Sequence, residues 1–292
     1  MTAGNITLTS IVMVSYHTGP VLFQAVASAL AQASPVELVL VDNGNPLEVV
    51  ARLKALQESE PRFHLITGHG NIGFGKACNM GARAASGDAL LFLNPDSTLP
   101  EDAVAKLALY SKYLRRPFMI GARLVGEDGR DQRGCRRALL TPLTALIEAL
   151  HLHRFFPEIR LNFTQEPVPQ KIAPIPAISG AFMFLPREDF WSIDGFDEGY
   201  FLHVEDLDLC LRFTRAGGEI YFAPDVVVTH VGSTSKATTA FIEKHKARGF
   251  IRYFRLNFAS QPIALLLALD AAIWLRAGLK IAGSAARRGL VK

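Results

Sequence analysis

The chain has 292 residues, of which 49% are hydrophobic and 20% charged, and its formal net charge is +4 at pH 7. This length and composition predict one large globular domain, or one domain with an appendage, and exclude a disordered or low-complexity protein. The three cysteines, Cys78, Cys135 and Cys210, are too few and too dispersed for a disulfide framework or a zinc cluster, and they suit a reducing, cytosolic setting.

The first 125 residues alternate short apolar segments with helical patterns. Strands are predicted at 11–15, 37–41, 63–67, 89–93 and 119–125, and helices at 21–31, 46–57, 77–85 and after Pro100. Apolar strands that alternate with amphipathic helices predict an α/β fold with a sheet covered on both faces. Because ligands in such folds bind beyond the carboxyl ends of the strands, one cleft is expected to gather the polar turns at 15–16, 42–43, 68–73 and 94–96.

Residues 126–238 follow a different pattern. Strands are predicted at 177–185, 219–223 and 226–231, and a helix at 205–216, so the sheet is expected to be mixed but mostly parallel. Five prolines argue against regular structure over much of 155–176, namely Pro157, Pro167, Pro169, Pro174 and Pro176.

Two polar positions at predicted strand ends are candidates for metal binding. Asp96 comes directly after the strand 89–93, in the sequence Asn94-Pro95-Asp96. A carboxylate there either holds a divalent cation that bridges two phosphates or caps the next helix, and spacing alone favours the cap. His230 ends a β-branched strand, where a histidine is more often structural; it gains value as a ligand only if Asp96 holds a metal.

An acidic pair begins the helix predicted at 205–216. Glu205 and Asp206 lie where negative charge stabilises a helix N-terminus, which is one sufficient explanation for them. The alternative is a general base that removes a proton from an attacking hydroxyl group. The neighbouring residues do not decide between these interpretations.

The segment from Gly68 to Gly73 matches the dinucleotide-binding pattern G-x-G-x-x-G. A true fingerprint normally follows the first strand of the sheet, whereas this one follows the third. An NAD-dependent oxidoreductase therefore stays open only as a minor alternative.

Arginines are concentrated in an irregular stretch after residue 128. Arg136 and Arg137 belong to this group with Arg130 and Arg133. Guanidinium groups suit phosphates of a donor or of a lipid-diphosphate acceptor, and the other interpretation is a solvated basic loop.

The last 52 residues are strongly basic. Residues 241–292 carry ten Lys or Arg against Glu243 and Asp270, so this segment has a charge of +8 and the rest of the chain −4. Aromatic and aliphatic residues are interleaved with these charges, which suits an anionic membrane surface and equally an ordinary helical cap, and argues against nucleic acid. No signal peptide is recognised in the first ten residues, and the longest apolar run, 262–275, is too short for a bilayer span.

Six segments, taken in order, resemble the inverting glycosyltransferases of family 2, which have the GT-A fold, and within them the bacterial rhamnosyltransferases of cell-surface polysaccharide (O-antigen) assembly. The similarity covers about 6–125 and 177–235. Its segments are IVMVSY (11–16), LVDNG (40–44), NIGFGKACN (71–79), LFLNPD (91–96), GAFMFLPR (180–187) and the stretch from GFDE (195–198) to EDLDLC (205–210).

The resemblance implies a role for each matching residue. Asp96 corresponds to the last aspartate of a metal-binding D-x-D element, whose first aspartate is Asn94 here, and His230 to a histidine that completes the metal shell in some relatives. Asp206 corresponds to the catalytic base, with Glu205 beside it. The implied nucleotide-sugar site consists of Ser15, Tyr16, Asp42, Asn43, Asn71, Phe74, Asn79, Asn94 and Asp96.

The chain departs from the family pattern at two histidines. His17 replaces an asparagine that many relatives carry, and His203 replaces an aromatic residue before the acidic pair. Since His203 lies beside the implied base, it is a candidate acceptor contact together with Arg136 and Arg137.

The resemblance also implies the reaction and its participants. We expect transfer of a sugar, rhamnose from thymidine diphosphate-rhamnose, to a hydroxyl group of a lipid-linked or saccharide acceptor, with Mg²⁺ or Mn²⁺.

The expected organisation is a GT-A domain over 1–238, with its nucleotide part at 1–125 and acceptor part at 126–238, followed by a basic helical segment at 239–292. The expected location is cytoplasmic, at the inner face of the membrane if the tail binds lipid. A GT-A-like protein that binds nucleotide or membrane without catalysis is the second alternative.

Overall fold

A computed structural model describes residues 6–149, 161–232 and 237–289. The predictions for residues 1–5, for 155–160 with Pro157, and for the last three residues therefore lie outside the described part of the chain. The strands are β1 (Thr9–Ser15), β2 (Val36–Asp42), β3 (Phe63–Ile66), β4 (Ala89–Leu93), β5 (Ser97–Thr98), β6 (Phe118–Val125), β7 (Ala173–Pro174), β8 (Phe182–Pro186) and β9 (Glu219–His230). The helices are α1 (Val21–Leu30), α2 (Leu47–Ser59), α3 (Phe74–Ala84), α4 (Ala103–Ser111), α5 (Pro142–Ala149), α6 (Arg187–Trp191), α7 (Glu205–Arg215), α8 (Thr239–Asn257) and α9 (Ile263–Gly289).

The strands form one mixed sheet in the order β3-β2-β1-β4-β8-β6-β9-β5, with β7 paired to β9. Strands β1, β2, β3, β4, β6 and β9 run in one direction, and the opposite direction is taken by β5, β7 and β8. This confirms the mixed, mostly parallel sheet. The chain moves outward from β1 to β3 and then returns to β4 on the other side of β1, which creates a crevice between the carboxyl ends of β1 and β4.

Helices cover both faces of the sheet because the core strands are apolar on both sides. In β1, Ile11 and Met13 belong to one buried cluster, which α1 and α4 complete. Val12 and Val14 belong to a second cluster with residues of α3, α7, α8 and α9. A strand with no polar face is stable only between two layers. The two helical layers therefore explain why the sequence shows fully apolar strands.

The acceptor side differs from the sequence prediction in its details. The two strands predicted at 219–223 and 226–231 are one strand, β9, whose pairing with β6 jumps from Ala122–Ala223 to Arg123–Val227. Pro224 lies in this bulge, where its missing N–H group costs no ladder hydrogen bond. The strand predicted at 177–185 is shorter, because 177–181 forms a turn region before β8.

The C-terminal helices pack onto the same core as the sheet. Tyr253 and Phe254 of α8 and Leu269 of α9 are almost completely buried in the second cluster. The Tyr253 hydroxyl donates a hydrogen bond to the carbonyl of Leu140, 2.8 Å away, and Arg252 pairs with Asp197 through both carboxylate oxygens. The described part of the tail is therefore anchored on the face of the sheet that α3 and α7 cover. Within the described residues, no helix is both long and apolar enough to cross a bilayer.

Candidate active site

The carboxyl ends of β1 and β2 place Ser15 and Asp42 side by side. These two residues are register partners in the parallel pair, and both are buried. Asn45 links them, because its side-chain amide donates to the Ser15 hydroxyl at 3.0 Å and to Oδ1 of Asp42 at 2.8 Å. Two of the predicted polar turns, those after β1 and β2, are thus neighbours at this edge of the sheet.

The Asp42 carboxylate is oriented by several donors. Thr67 donates to Oδ2 at 2.6 Å, and the backbone N–H groups of Gly44 and Asn45 donate to Oδ1. Burial alone would raise the pKa of Asp42, but the hydrogen bonds from Thr67 and Asn45 outweigh it and lower the pKa. Asp42 is therefore an ionised and rigid acceptor.

The loop 68–73 closes one side of this region. Asn43 holds it by donating to the carbonyl of Gly73 at 3.0 Å. A Cβ atom on Gly44 would lie 3.8 Å from the Tyr16 ring and 3.9 Å from the Asn71 nitrogen, so the ring and the loop meet over this turn. Gly73 has a φ of 89° and lies against the Phe201 carbonyl, which leaves no room for a side chain.

Asp96 and His230 are brought together by the short antiparallel pair of β5 and β9. Ser97 is the register partner of His230, and the backbone N–H of Val231 donates to the Asp96 carbonyl. Asp96 is only 6% exposed. Its Oδ1 lies 3.2 Å from Nε2 of His230, and the Asn94 side-chain nitrogen is also 3.2 Å from that nitrogen.

Gln132 orients the His230 ring. The Gln132 amide nitrogen donates to the His230 carbonyl, so the amide oxygen faces Nδ1 at 2.6 Å and accepts a hydrogen bond from its N–H group. Nε2 then presents a lone pair to the Asp96 carboxylate. Nε2 of His230 and the Asp96 carboxylate thus face each other 3.2 Å apart as two candidate ligands of one metal ion.

This pair fits a divalent cation that takes its other ligands from phosphates. Among the described residues, no group of three or more His, Cys, Asp or Glu side chains could hold a metal ion alone. Mg²⁺ commonly uses one or two protein carboxylates together with substrate phosphates and water, and imidazole also suits Mn²⁺. The donor set of Asp96 and His230 matches that kind of site.

Asp206, in the first turn of α7, faces the turn before β8 and a partly buried arginine, Arg137. Its Oδ2 accepts from the backbone N–H of Gly180 at 3.0 Å and from Arg137 at 2.5 Å, while Oδ1 accepts from the backbone N–H of Leu207. Burial raises the pKa of Asp206, but the charge of Arg137 and these hydrogen bonds lower it below the ordinary value. The carboxylate is therefore in the ionised form that a general base needs.

The turn before β8 connects Asp206 to the pair of Asp96 and His230. Asn94 donates its backbone N–H to the carbonyl of Ala181, and the adjacent residue Gly180 donates to Asp206. A Cβ atom on Gly180 would lie 3.1 Å from the Cβ of Asp206. Residues predicted from three separate segments are thus neighbours at one end of the sheet.

Glu205 is buried behind Asp206. Within the described residues, its Oε2 has no hydrogen-bond partner. Burial and the negative charge of Asp206 raise the pKa of Glu205 to about 8, so this side chain is mostly protonated at neutral pH. Of the two acidic residues, Asp206 is the one that can accept a proton.

The backbone before the acidic pair has an unusual conformation. His203 and Val204 have φ angles of 67° and 76°, and such values are rare for a β-branched residue. Gly249 of α8 packs directly against this turn, since a Cβ atom there would lie 3.1 Å from the His203 carbonyl. The turn leaves the His203 side chain exposed beside Asp206.

Four predicted residues make contacts within the fold around the site. Arg136 is 3% exposed and donates to the carbonyls of Glu166 and Pro167, so its guanidinium group lies inside the fold. Arg137 donates to Asp206 and to the Ile178 carbonyl. Asn79 is occupied on both sides by the backbone of Phe196. Phe74 contacts the Phe196 ring edge to face, and its backbone N–H donates to the Phe201 carbonyl.

Sequence reasoning missed the residues that orient these groups. Asn45 belongs to the turn after β2. The sequence of this turn indicates a turn, so Asn45 could have been inferred as a partner of Asp42. Gln132 and Thr67 carry no local signal, since each is defined only by the residue that it contacts across the fold.

Residues 10–193 match the sequence model of the family described as glycosyl transferase family 2. An N-acetylglucosaminyl-diphospho-decaprenol L-rhamnosyltransferase of Mycobacterium tuberculosis is 26% identical over 260 residues, which are 82% of this chain and 82% of that protein. Rhamnosyltransferase WbbL of Escherichia coli K12 is 26% identical over 242 residues, which are 75% of this chain and 82% of that protein.

Solved glycosyltransferases have the same fold. GalNAc-T7 with UDP, GalNAc and Mn²⁺ superimposes with a TM-score of 0.63 at 18% identity, over 87% of this chain and 48% of that one, so this chain spans about half its length. The mannosyltransferase PcManGT from Pyrobaculum calidifontis, with GDP-Man and Mn²⁺, gives a TM-score of 0.58 at 17% identity, over 97% of this chain and 74% of that one.

Proposed function

The chain belongs to glycosyl transferase family 2 and has a GT-A fold, and on this premise we propose that it transfers a sugar, with inversion, from a nucleotide diphosphate to an acceptor hydroxyl group. Membership of a glycosyltransferase family removes the oxidoreductase alternative, and the glycine-rich loop follows β3 at the edge of the sheet, not its central strand. The non-catalytic alternative is also set aside, because the carboxylates that the reaction needs are present.

One observation carries the proposal. The pair of Asp96 and His230 and the ionised Asp206 lie at the same end of the sheet, joined through Asn94, Ala181 and Gly180. The reaction needs these two functions side by side, one at the leaving diphosphate and one at the attacking hydroxyl group.

Asp96 and His230 are proposed to hold a Mg²⁺ or Mn²⁺ ion. When bound, such an ion neutralises the negative charge that develops on the leaving diphosphate. Gln132 keeps the His230 lone pair directed toward Asp96, and Asn94 fixes the turn between them.

The nucleoside part of the donor is proposed to lie over the ends of β1 and β2. Ser15 and Asp42 offer oriented polar groups there, with Tyr16, Asn43 and Asn71 at the border of the cleft. We propose thymidine diphosphate-rhamnose as the donor, because two relatives that align over most of this chain and over most of their own length are named rhamnosyltransferases.

Asp206 is proposed as the general base. Its carboxylate takes the proton of the acceptor hydroxyl while that oxygen attacks the anomeric carbon from the face opposite the leaving diphosphate, so the anomeric configuration inverts. Arg137 keeps Asp206 ionised before the acceptor arrives.

The acceptor is proposed to be a lipid-linked saccharide reached at the cytoplasmic face of a membrane. The name of the mycobacterial relative specifies a diphospho-decaprenol acceptor. In this chain, the outer face of α9 exposes Ile263, Leu275 and Leu279 at 70%, 66% and 67%. An apolar helix face beside basic residues suits an anionic lipid surface.

A thermal-shift panel of nucleotide sugars tests the proposed function. We expect nucleotide diphosphates to raise the melting temperature only when Mn²⁺ or Mg²⁺ is present, with the largest shift from the true donor. The Asp96→Asn variant, which retains the shape of the side chain, should lose the metal-dependent part of the shift. Stabilisation by NAD, or equal stabilisation with and without metal, would contradict the proposal.

A further inference from the structure

Three cationic side chains of α8 and α9 gather around one buried carboxylate near Asp206. Glu243 is 8% exposed, and its Oε1 lies 3.1 Å from Nζ of Lys280 while its Oε2 lies 4.0 Å from Arg276. Lys246 is on the same side of α8, one turn after Glu243. Three positive charges thus share a single negative partner, which leaves a net positive site.

Lys246 is the unpartnered member of this group. Within the residues that the structure describes, it makes no ion pair or hydrogen bond, although it is only partly exposed. Burial lowers the pKa of Lys246, and Lys280 and Arg276 lower it further, while Glu243 and Asp206 act in the opposite direction. A partly buried ammonium group among like charges is stabilised by an anion that comes from outside the chain.

The packing of α8 places this group at the acceptor side of the site. Gly249 lies against the carbonyl of His203 and the side chain of Val204, in the turn that precedes the acidic pair. His245 stacks on the Phe201 ring with centroids 4.4 Å apart. These contacts hold the first half of α8 against the turn before the acidic pair, and the charge of Lys246 is close enough to interact with both His203 and Asp206.

We propose that Lys246, with Arg276 and Lys280, binds the diphosphate of a lipid-linked acceptor. This inference rests on the proposed function and locates the acceptor diphosphate on α8 and α9, away from the nucleotide diphosphate at Asp96. Lysine and arginine are the usual ligands of phosphate oxygens in proteins. The apolar outer face of α9 then lies where the lipid chain continues.

Binding of farnesyl diphosphate in EDTA tests the inference without sugar transfer. EDTA removes the divalent ion through which a diphosphate would bind at Asp96. The Lys246→Met variant keeps the aliphatic stem and removes the charge, and we expect it to bind the probe about tenfold more weakly or worse. The control Lys244→Met removes the same charge from an exposed position of the same helix and should bind as the wild type does.

An independent variant guards against a local packing effect. Arg276→Met changes a different helix and should also weaken binding of the probe, while both variants melt within a few degrees of the wild type. No binding to the wild type, or equal binding to the wild type and Lys246→Met, would overturn the inference.

Kinetics with two acceptors separates this inference from the proposed function. For a sugar linked to diphospho-farnesol, Lys246→Met should raise KM about tenfold or more, whereas kcat/KM for a neutral octyl glycoside of the same sugar should not change. Equal effects on both acceptors would overturn the inference while leaving transfer intact. A chain that binds farnesyl diphosphate through Lys246 but transfers no sugar would refute the proposed function alone.

Discussion

At the scale of single residues, the site separates two adjacent carboxyl groups by their surroundings. Asp206 is paired with Arg137 and has a lowered pKa, whereas Glu205 is buried with one unpartnered oxygen and has a raised pKa. Nothing in the sequence Glu205-Asp206 distinguishes them, because the difference comes from Arg137 and Gly180, which are distant along the chain.

Removal of Arg137 is expected to move the acid limb of the pH–rate profile. A base must be ionised, so activity falls as the pH drops through its pKa. Arg137→Met removes the charge that lowers the pKa of Asp206, and the acid limb should therefore shift to higher pH when each profile is scaled to its own maximum. Arg133→Met, an exposed change in the same stretch, serves as the control. An unchanged acid limb in Arg137→Met would count against the role of Asp206.

The raised pKa of Glu205 predicts a pH-dependent stability difference. The folded chain keeps a proton on Glu205 that the unfolded chain releases above pH 4.5, so the stability from this group is lost as the pH rises toward about 8. Glu205→Gln copies the neutral form and has no proton to release. As the pH rises through this window, the free energy of unfolding of the variant minus that of the wild type should increase by up to about 1.4 kcal/mol per pH unit. Urea unfolding at pH 5, 6.5 and 8 measures this difference, and a constant difference would contradict the assignment.

Individual site residues could be proposed from the sequence only through the family resemblance. Periodicity and spacing place Asp96 and Asp206 at the end of a strand and the start of a helix, where spacing alone favours capping. The pairing of Asp96 with His230 joins segments 134 positions apart. It depends on β5, a strand of two residues that is too short for a periodic pattern to indicate.

At the scale of elements, the close contact between the start of β8 and α7 holds the base in place. Gly180→Ala would put a Cβ atom 3.1 Å from Cβ and 3.4 Å from Oδ2 of Asp206, so one of the two elements must move by a few tenths of an ångström. We expect kcat to fall roughly tenfold, since small displacements of a catalytic group are costly.

The control for this change is Gly278→Ala in α9. A Cβ atom at Gly278 meets nothing within 4 Å, so this variant should retain full activity. A Gly180→Ala enzyme as active as Gly278→Ala would show that the contact does not position Asp206.

The regular elements were predicted well where one pattern dominates. The five strands and the helices of the first 125 residues are present with small differences in their ends, because buried parallel strands have no polar face to obscure the signal. On the acceptor side, two strands were predicted at 219–223 and 226–231, whereas pairing with β6 makes them one strand with a bulge at Pro224.

At the scale of the whole molecule, the tail belongs to the same core as the sheet. The sequence left the tail open as a membrane-binding segment or a helical cap, and in the structure its described part packs on the core. Its inner face packs on α7 and the sheet through Tyr253, Phe254 and Leu269, while its outer face on α9 is apolar and exposed.

Membrane contact through α9 is expected to depend on its exposed leucines. The wild type should float with anionic vesicles more than with zwitterionic ones, and Leu275→Lys with Leu279→Lys should abolish most of this binding. The matched control carries Leu47→Lys and Leu109→Lys, two exposed leucines on α2 and α4. Equal flotation of both double variants would remove α9 as the contact.

The most direct test of the account is the transfer reaction of the Asp206→Asn variant. With Mn²⁺, thymidine diphosphate-rhamnose and a lipid-diphosphate saccharide acceptor, the wild type should release thymidine diphosphate and give a product of inverted anomeric configuration by NMR. Asp206→Asn should slow turnover by about 10²–10⁴-fold while keeping the metal-dependent thermal shift with the donor. An Asp206→Asn enzyme with wild-type turnover, or a product with retained configuration, would contradict the account.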